Sequence, residues 1–240
     1  MRIAYSFILI IALFLSQSTY AQKVDEIVNK YIAFTGGKKQ WEKVKTITAT
    51  GEYDYGGMKF PFNSYAKSPD RYKFSVAANG KYYAQAFDGT RGWKIDVFNG
   101  ETNATILTGK DARAMANEAD VETESVLIDY RKKGHRAILE GADTVQGRNC
   151  FRVKFIHKDG DTALYYFDRI TSELFMKASE SKNAEMKGTL LHTIYSDYRD
   201  VNGLKFPFKI ISKANDQAIL VVTFERIELN KAIDDAEFQP

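Results

Sequence analysis

The side chains able to do chemistry are few and scattered. Histidine occurs at 135, 157 and 192, each in a stretch that reads as a strand, and no HExxH or HxH spacing brings two of them to one metal. Asp159-Gly160-Asp161 has the opening of a calcium loop without the remaining ligands or the closing glutamate, and a hairpin tip explains it better. Cys150 is the one cysteine, so no intrachain disulfide forms and burial as a small hydrophobe is expected. If Cys150 and His157 share a regular strand they point to opposite faces, which argues against a nucleophile pair. Glu122/Glu124 and Asp234/Asp235 are close carboxylate pairs at a helical segment and near the C-terminus, where solvated caps are expected. GxSxG, P-loop and GxGxxG motifs are absent. Neither catalysis nor a cofactor nor a metal is expected.

What does recur is apolar side chains at every second position. Tyr72, Phe74 and Val76 alternate with polar neighbours, as do Trp93, Ile95 and Val97, then Phe151, Val153 and Phe155, then Phe206, Phe208 and Ile210. Gly56-Gly57, Asn79-Gly80, Asp88-Gly89, Asn99-Gly100, Asp159-Gly160 and Asn202-Gly203 punctuate these runs with hairpin chemistry. The pattern predicts a mainly β fold of about ten to thirteen antiparallel strands. Helical spacing appears twice. Val24, Ile27, Val28, Tyr31 and Ile32 mark a helix over 23–34 stopped by Gly36-Gly37, with a short turn over Lys39–Val44 that packs Trp41 inward. A second zone from Lys110 to Lys133, with Thr108 as N-cap and Gly134 beyond its end, reads as two short jointed helices. No Pro/Ser-rich linker separates the strands before and after it, so one sheet is expected. A sheet that wide must curl, split or close, and the mid-chain helices are placed to cover its concave face.

Composition narrows the remaining classes. With 240 residues, 44% hydrophobic and only 4 Pro, the chain is long enough for a substantial core. Its 34 Lys+Arg against 31 Asp+Glu, spread along the sequence, predict no grip on nucleic acid. Arg2 followed by the apolar run Phe7–Leu15 and the ending Thr19-Tyr20-Ala21 has the three parts of a secretory signal. The expectation is cleavage after Ala21, an exported periplasmic protein of residues 22–240 forming one domain, and no membrane span thereafter. No Cys follows the cleavage site to carry a lipid anchor.

Tyr65-Ala66-Lys67-Ser68-Pro69-Asp70-Arg71-Tyr72-Lys73-Phe74 and Phe87-Asp88-Gly89-Thr90-Arg91-Gly92-Trp93 resemble the basic-x-Pro-x-x-aromatic-x-aromatic … Asp-Gly-x-x-x-Trp pattern of the periplasmic outer-membrane lipoprotein carrier (LolA-like) family. Gly141–Phe151, Tyr165-Tyr166-Phe167-Asp168, Tyr198–Pro207 and the ending Asp234…Phe238-Gln239-Pro240 extend the similarity over nearly all of residues 22–240. The resemblance implies an incomplete, curved antiparallel β-barrel with an N-terminal helix and a mid-chain helical lid over an apolar cavity. It also implies a non-enzymatic carrier of the acyl chains of lipoproteins or other lipids, working between inner- and outer-membrane transfer partners. The family's cavity aromatics correspond to Tyr72, Phe74 and Trp93. One departure stands out: Ser68 occupies the place of the basic residue that latches the lid, with Lys67 one position earlier, so that latch does not carry over. The expected pocket lining is Tyr72, Phe74, Trp93 and Ile95, joined by Val153, Phe155 and Phe208. Two other classes stay open on the residues alone: a binding module for protein or glycan with a packed interior, and a lipid-modifying hydrolase.

Overall fold

The computed structural model describes residues 23–78, 81–97, 100–123, 126–181 and 186–240. The signal expected over 1–21, the Asn79-Gly80 tip, Asn99 and Glu124 lie outside the described residues.

Helix α1 (23–34) forms where the apolar spacing places it, with Val24, Ile27, Val28 and Ile32 buried along one stripe. Its end is set by Gly36 (φ 110°) and Gly37 (φ 85°). Gly36 is required twice over, because a Cβ there would also collide with the Gly203 carbonyl. The Thr35 hydroxyl donates to Ile32 O (3.0 Å) and accepts from Trp41 Nε1 (3.1 Å), which fixes the one-turn helix α2 (Lys38–Trp41) against α1.

Six strands follow: β1 (Thr46–Tyr55), β2 (Met58–Lys67), β3 (Arg71–Ala78), β4 (Lys81–Phe87), β5 (Gly92–Asp96) and the short β6 (Thr105–Ile106). Helix α3 (Gly109–Thr123) separates them from β7 (Arg136–Val145), β8 (Arg148–Ile156), β9 (Thr162–Asp168), β10 (Leu174–Glu180), β11 (Leu190–Val201), β12 (Leu204–Ala214) and β13 (Gln217–Leu229). A 3-10 turn, Asp235–Phe238, ends the fold. All thirteen strands belong to one antiparallel sheet in the order β6-β5-β4-β3-β2-β1-β13-β12-β11-β10-β9-β8-β7. The two meanders are joined by β1 pairing with β13, while β6 and β7 remain the edges, so the barrel is incomplete.

Tight tips hold the register. Gly56-Gly57 (φ 60° and 88°) and Asn202-Gly203 (53° and 84°) have two consecutive positive-φ residues, the need that favours Gly and Asn there. Gln146-Gly147 (49° and 79°) and Asn215-Asp216 (48° and 63°) do the same at tips the sequence does not announce.

The second helical zone departs from expectation. Residues 109–123 form a single helix, and 126–134 are hydrogen-bonded turns. Val126, Leu127 and Ile128 are all buried, which no single helix face allows. Lys38 Nζ grips the Asp129 carboxylate (2.7 and 2.6 Å), and Asp25 accepts from the Tyr130 hydroxyl (2.6 Å) and Arg131 Nε (3.1 Å), tying this segment to α1 and α2.

Candidate functional site

Residues paired across neighbouring strands share a face of the sheet, so the register sorts every side chain. On the concave face Ile47 aligns with Ala66 and Leu229, Ala49 with Ser64 and Ile227, and Tyr165 with Val153 and Lys177. Three sets of contacts cover parts of this face. Helix α1 and residues 126–130 seal β8 and β9, burying Val153 and Phe155 with Val28, Leu127 and Ile128. Helix α3 sets Met115 and Ala119 on Tyr72 and Ala66. An aromatic cluster closes another part, with Phe62 against Phe74 (5.6 Å, stacked) and Phe224 (5.4 Å, edge-on) and Phe208 against Phe224 (6.4 Å).

Between them lies a cavity of about 540 Å³, within the range of small-molecule sites. Ile47, Ala49, Ile210, Phe224 and Ile227 form its apolar floor, Val126, Leu127 and Trp41 one end, and Ala114, Asn117 and Glu118 of α3 its cover. A polar cleft of about 930 Å³ adjoins it, lined by Lys110, Arg113, Glu140, Lys154 and Glu180, and shares Asp161, Thr162 and Ser179 with it. Asp161, Thr162 and Ser179 therefore stand where an apolar hollow meets a charged entrance. Across this entrance Asn117 Nδ2 of α3 donates to Asp159 Oδ2 in the β8–β9 tip (2.7 Å). On the other flank of α3, Gln85 donates through Nε2 to Glu118 (3.3 Å) and accepts at Oε1 from the Tyr83 hydroxyl (2.8 Å).

Burial favours the neutral form of two cavity phenols and of His157. Burial pushes the Tyr165 hydroxyl up to about 12, against the pull of Lys177, and moves the Tyr31 hydroxyl well above the usual phenol range with help from Tyr195. Burial, then the neighbouring His135, holds His157 below the usual imidazole range. Cys150 sits on the opposite face from His157, in a cluster with Tyr166, Phe175 and Met176, and burial raises its thiol to about 11. No group of three His, Cys, Asp or Glu among the described residues could hold a metal.

The seven side chains expected to line one pocket do not converge. Tyr72 and Phe74 are on the concave face beside α3 and the aromatic cluster, and Phe208 joins that cluster. Val153 and Phe155 are also concave but lie sealed beneath α1, at 1% and 0% exposure. Trp93 and Ile95 are corrected outright. Tyr72 pairs with Phe87 and Phe87 with Gly92, so Trp93, one residue on, faces the convex side. There Trp93 and Ile95 pack with Ala84 and Ala86, and Trp93 Nε1 donates to Phe238 O (2.8 Å) under the C-terminal 3-10 turn. The observed walls, Tyr31, Tyr165, Lys177, Tyr195, Ile210 and Phe224 among them, were not among the residues expected to line the pocket. Alternation marks those on strands as facing one way, but which way requires the register of every intervening hairpin.

No helix among the described residues is long and apolar enough to cross a membrane. No protein-family model matches the sequence, and no curated protein matches it. The fold does have counterparts among solved structures. A DUF1329 family protein from Desulfovibrio piger superposes with a TM-score of 0.62 at 12% identity, covering 92% of this chain and 97% of that one. A putative outer membrane lipoprotein-sorting protein domain from Vibrio parahaemolyticus gives 0.58 at 11% identity, over 91% and 97%. A LolA superfamily protein from Nitrosomonas europaea gives 0.57 at 11% identity, over 92% and 98%. At these identities the likeness is one of architecture: the chain has the incomplete β-barrel fold of LolA-like proteins.

Proposed function

We propose that this protein is a non-enzymatic carrier that shelters acyl chains of lipids or lipoproteins in its concave cavity and works in the periplasm after signal cleavage. The observation that carries the reading is the half-open hollow of about 540 Å³ with an apolar floor and a charged entrance. An alkyl chain moved there from water gains about 0.8 kcal/mol per methylene, less the cost of ordering the chain and parting α3 from the entrance. No reacting group is needed. Transfer partners at the inner and outer membranes belong to this reading as donors and acceptors of the cargo. A packed binding module fits the observed hollow less well.

The test is uptake of the neutral fluorescent probe 1-N-phenylnaphthylamine. Ser64 is a small, half-buried residue on the cavity wall, so Ser64→Trp should fill the space and weaken uptake by about tenfold or more while circular dichroism stays unchanged. Absence of uptake by the unmodified protein, or undiminished uptake by Ser64→Trp, rejects the carrier reading.

A further inference from the structure

Lys177 stands on the wall of a largely apolar hollow. It points from the middle of β10 onto the concave face, between Tyr165 of β9 and Thr193 of β11, and lines the cavity. Lysines with restricted access to water are normally paired. Yet among the described residues no carboxylate lies within ion-pairing distance of this ammonium and no acceptor within hydrogen-bond distance. The other cavity charges differ. Glu118 is engaged by Gln85, the Lys205 ammonium rests over the Phe34 ring (4.6 Å), and Asp161 stands at the entrance shared with the charged cleft, beyond ion-pairing distance of Lys177.

The neighbours of Lys177 share its condition. Tyr165 is 5% exposed and Tyr31 half-buried, and neither hydroxyl has a hydrogen-bond partner among the described residues. Neither is sealed off: both open onto the void, where a ligand oxygen could reach them. Tyr165 is close enough to both Lys177 and Tyr31 to be acted on electrostatically by each, and all three border the same void. Next along the ladder, the Thr193 and Ser212 hydroxyls bond to each other (3.3 Å), so a polar stripe crosses the apolar surface from β9 to β12. One cation with two neutral hydroxyl donors makes a receptor for a singly charged oxyanion with two lone-pair-rich oxygens.

We propose that this stripe receives the head group of a single-chain carboxylate amphiphile, with Lys177 paired to the carboxylate, Tyr165 and Tyr31 donating to it, and the alkyl tail along Ile210, Phe224 and Ile227. This rests on the carrier reading and narrows it to long-chain carboxylates. A neutral ester of the same length would bury the ammonium without a counter-charge, so the discrimination comes from the unpaired cation as much as from the pair.

The experiment compares displacement of 1-N-phenylnaphthylamine by dodecanoate and by methyl dodecanoate at neutral pH. The unmodified protein should prefer dodecanoate by about tenfold or more. Lys177→Met should bring the two within about twofold of each other, by weakening dodecanoate while the ester binds as well or better; Lys177→Arg should keep the preference. Equal affinities in the unmodified protein, or a preference that survives Lys177→Met, overturn the assignment while leaving a carrier of neutral chains standing. If the unmodified protein binds neither ligand nor the probe, the carrier reading falls and takes this inference with it.

Discussion

Trp93 shows how one residue of register separates a binding role from a structural one. Its ring is 2% exposed on the convex face, and its indole N–H holds the last turn of the chain through Phe238. Trp93→Phe should therefore lower stability by about 1–3 kcal/mol, through a lost hydrogen bond and a small void, and leave probe affinity unchanged. A denaturant midpoint beside a binding isotherm checks both halves. The same clasp carries a pH signature. Asp235 accepts from Arg71 and Lys67, whose hydrogen bonds and charges hold its carboxyl down to about 2. A carboxyl depressed in the folded state stabilises the fold above its unfolded pKa, near 3.9, and that contribution is lost as pH falls towards 2. In a Trp41→Phe background, where Trp93 is the only indole, its fluorescence should change over that acid window, and Asp235→Asn should remove the step. These placements were within reach of the sequence in part. Given Ala78 paired with Lys81 and a four-residue tip over 88–91, Trp93 must oppose Tyr72. The alternation was readable there and the loop lengths were not.

At the scale of elements, the covering helix is held on unequal terms along its two flanks. Towards β2–β5 it is packed, with Met115 and Ala119 buried and the Gly92 backbone so close that an added Cβ would press on Met115 (3.2 Å). Towards the second meander, the described side-chain hydrogen bond is Asn117 to Asp159, at the exposed entrance. Burial works to raise the Asp159 carboxyl, but the Asn117 amide, the Asp161 backbone N–H and His157 outweigh it and hold it below the usual range. Asn117→Ala should release this flank at a cost of about 1 kcal/mol, or about fivefold in the rate of probe dissociation. Stopped-flow dissociation measures it, and an unchanged rate would show that the helix does not gate the cavity. Helical periodicity found α1 and the first half of this cover. It could not find the turns over 126–134, because their shape comes from distant charges, Lys38 on Asp129 and Asp25 on Tyr130 and Arg131, and not from local spacing.

At the scale of the whole molecule, the sheet has one seam and one gap. The seam is β1 against β13, a long antiparallel ladder from Ile47↔Leu229 to Tyr55↔Leu220 that unites first and last strands. The gap is between the edge strands β6 and β7, and α3 with the turns over 126–134 lies in the connection between them. The number of strands and their union in one sheet were legible from turn spacing and from the missing linker. The hollow was not, since it exists only where three covers, α1 with 126–130, α3 and the aromatic cluster, fail to meet. Motion for loading should then be confined to the gap, because separating the seam breaks a whole ladder while shifting α3 parts a few side chains. Amide exchange should accordingly be slow in β1, β12 and β13 and faster in α3 and 126–134, and saturating probe should slow exchange in α3 and 126–134 while leaving the seam unchanged. Hydrogen exchange read by mass spectrometry distinguishes this from a breathing barrel: protection that rises equally in both meanders on loading would mean that the entire sheet opens, and the division of labour between rigid seam and mobile cover would be wrong.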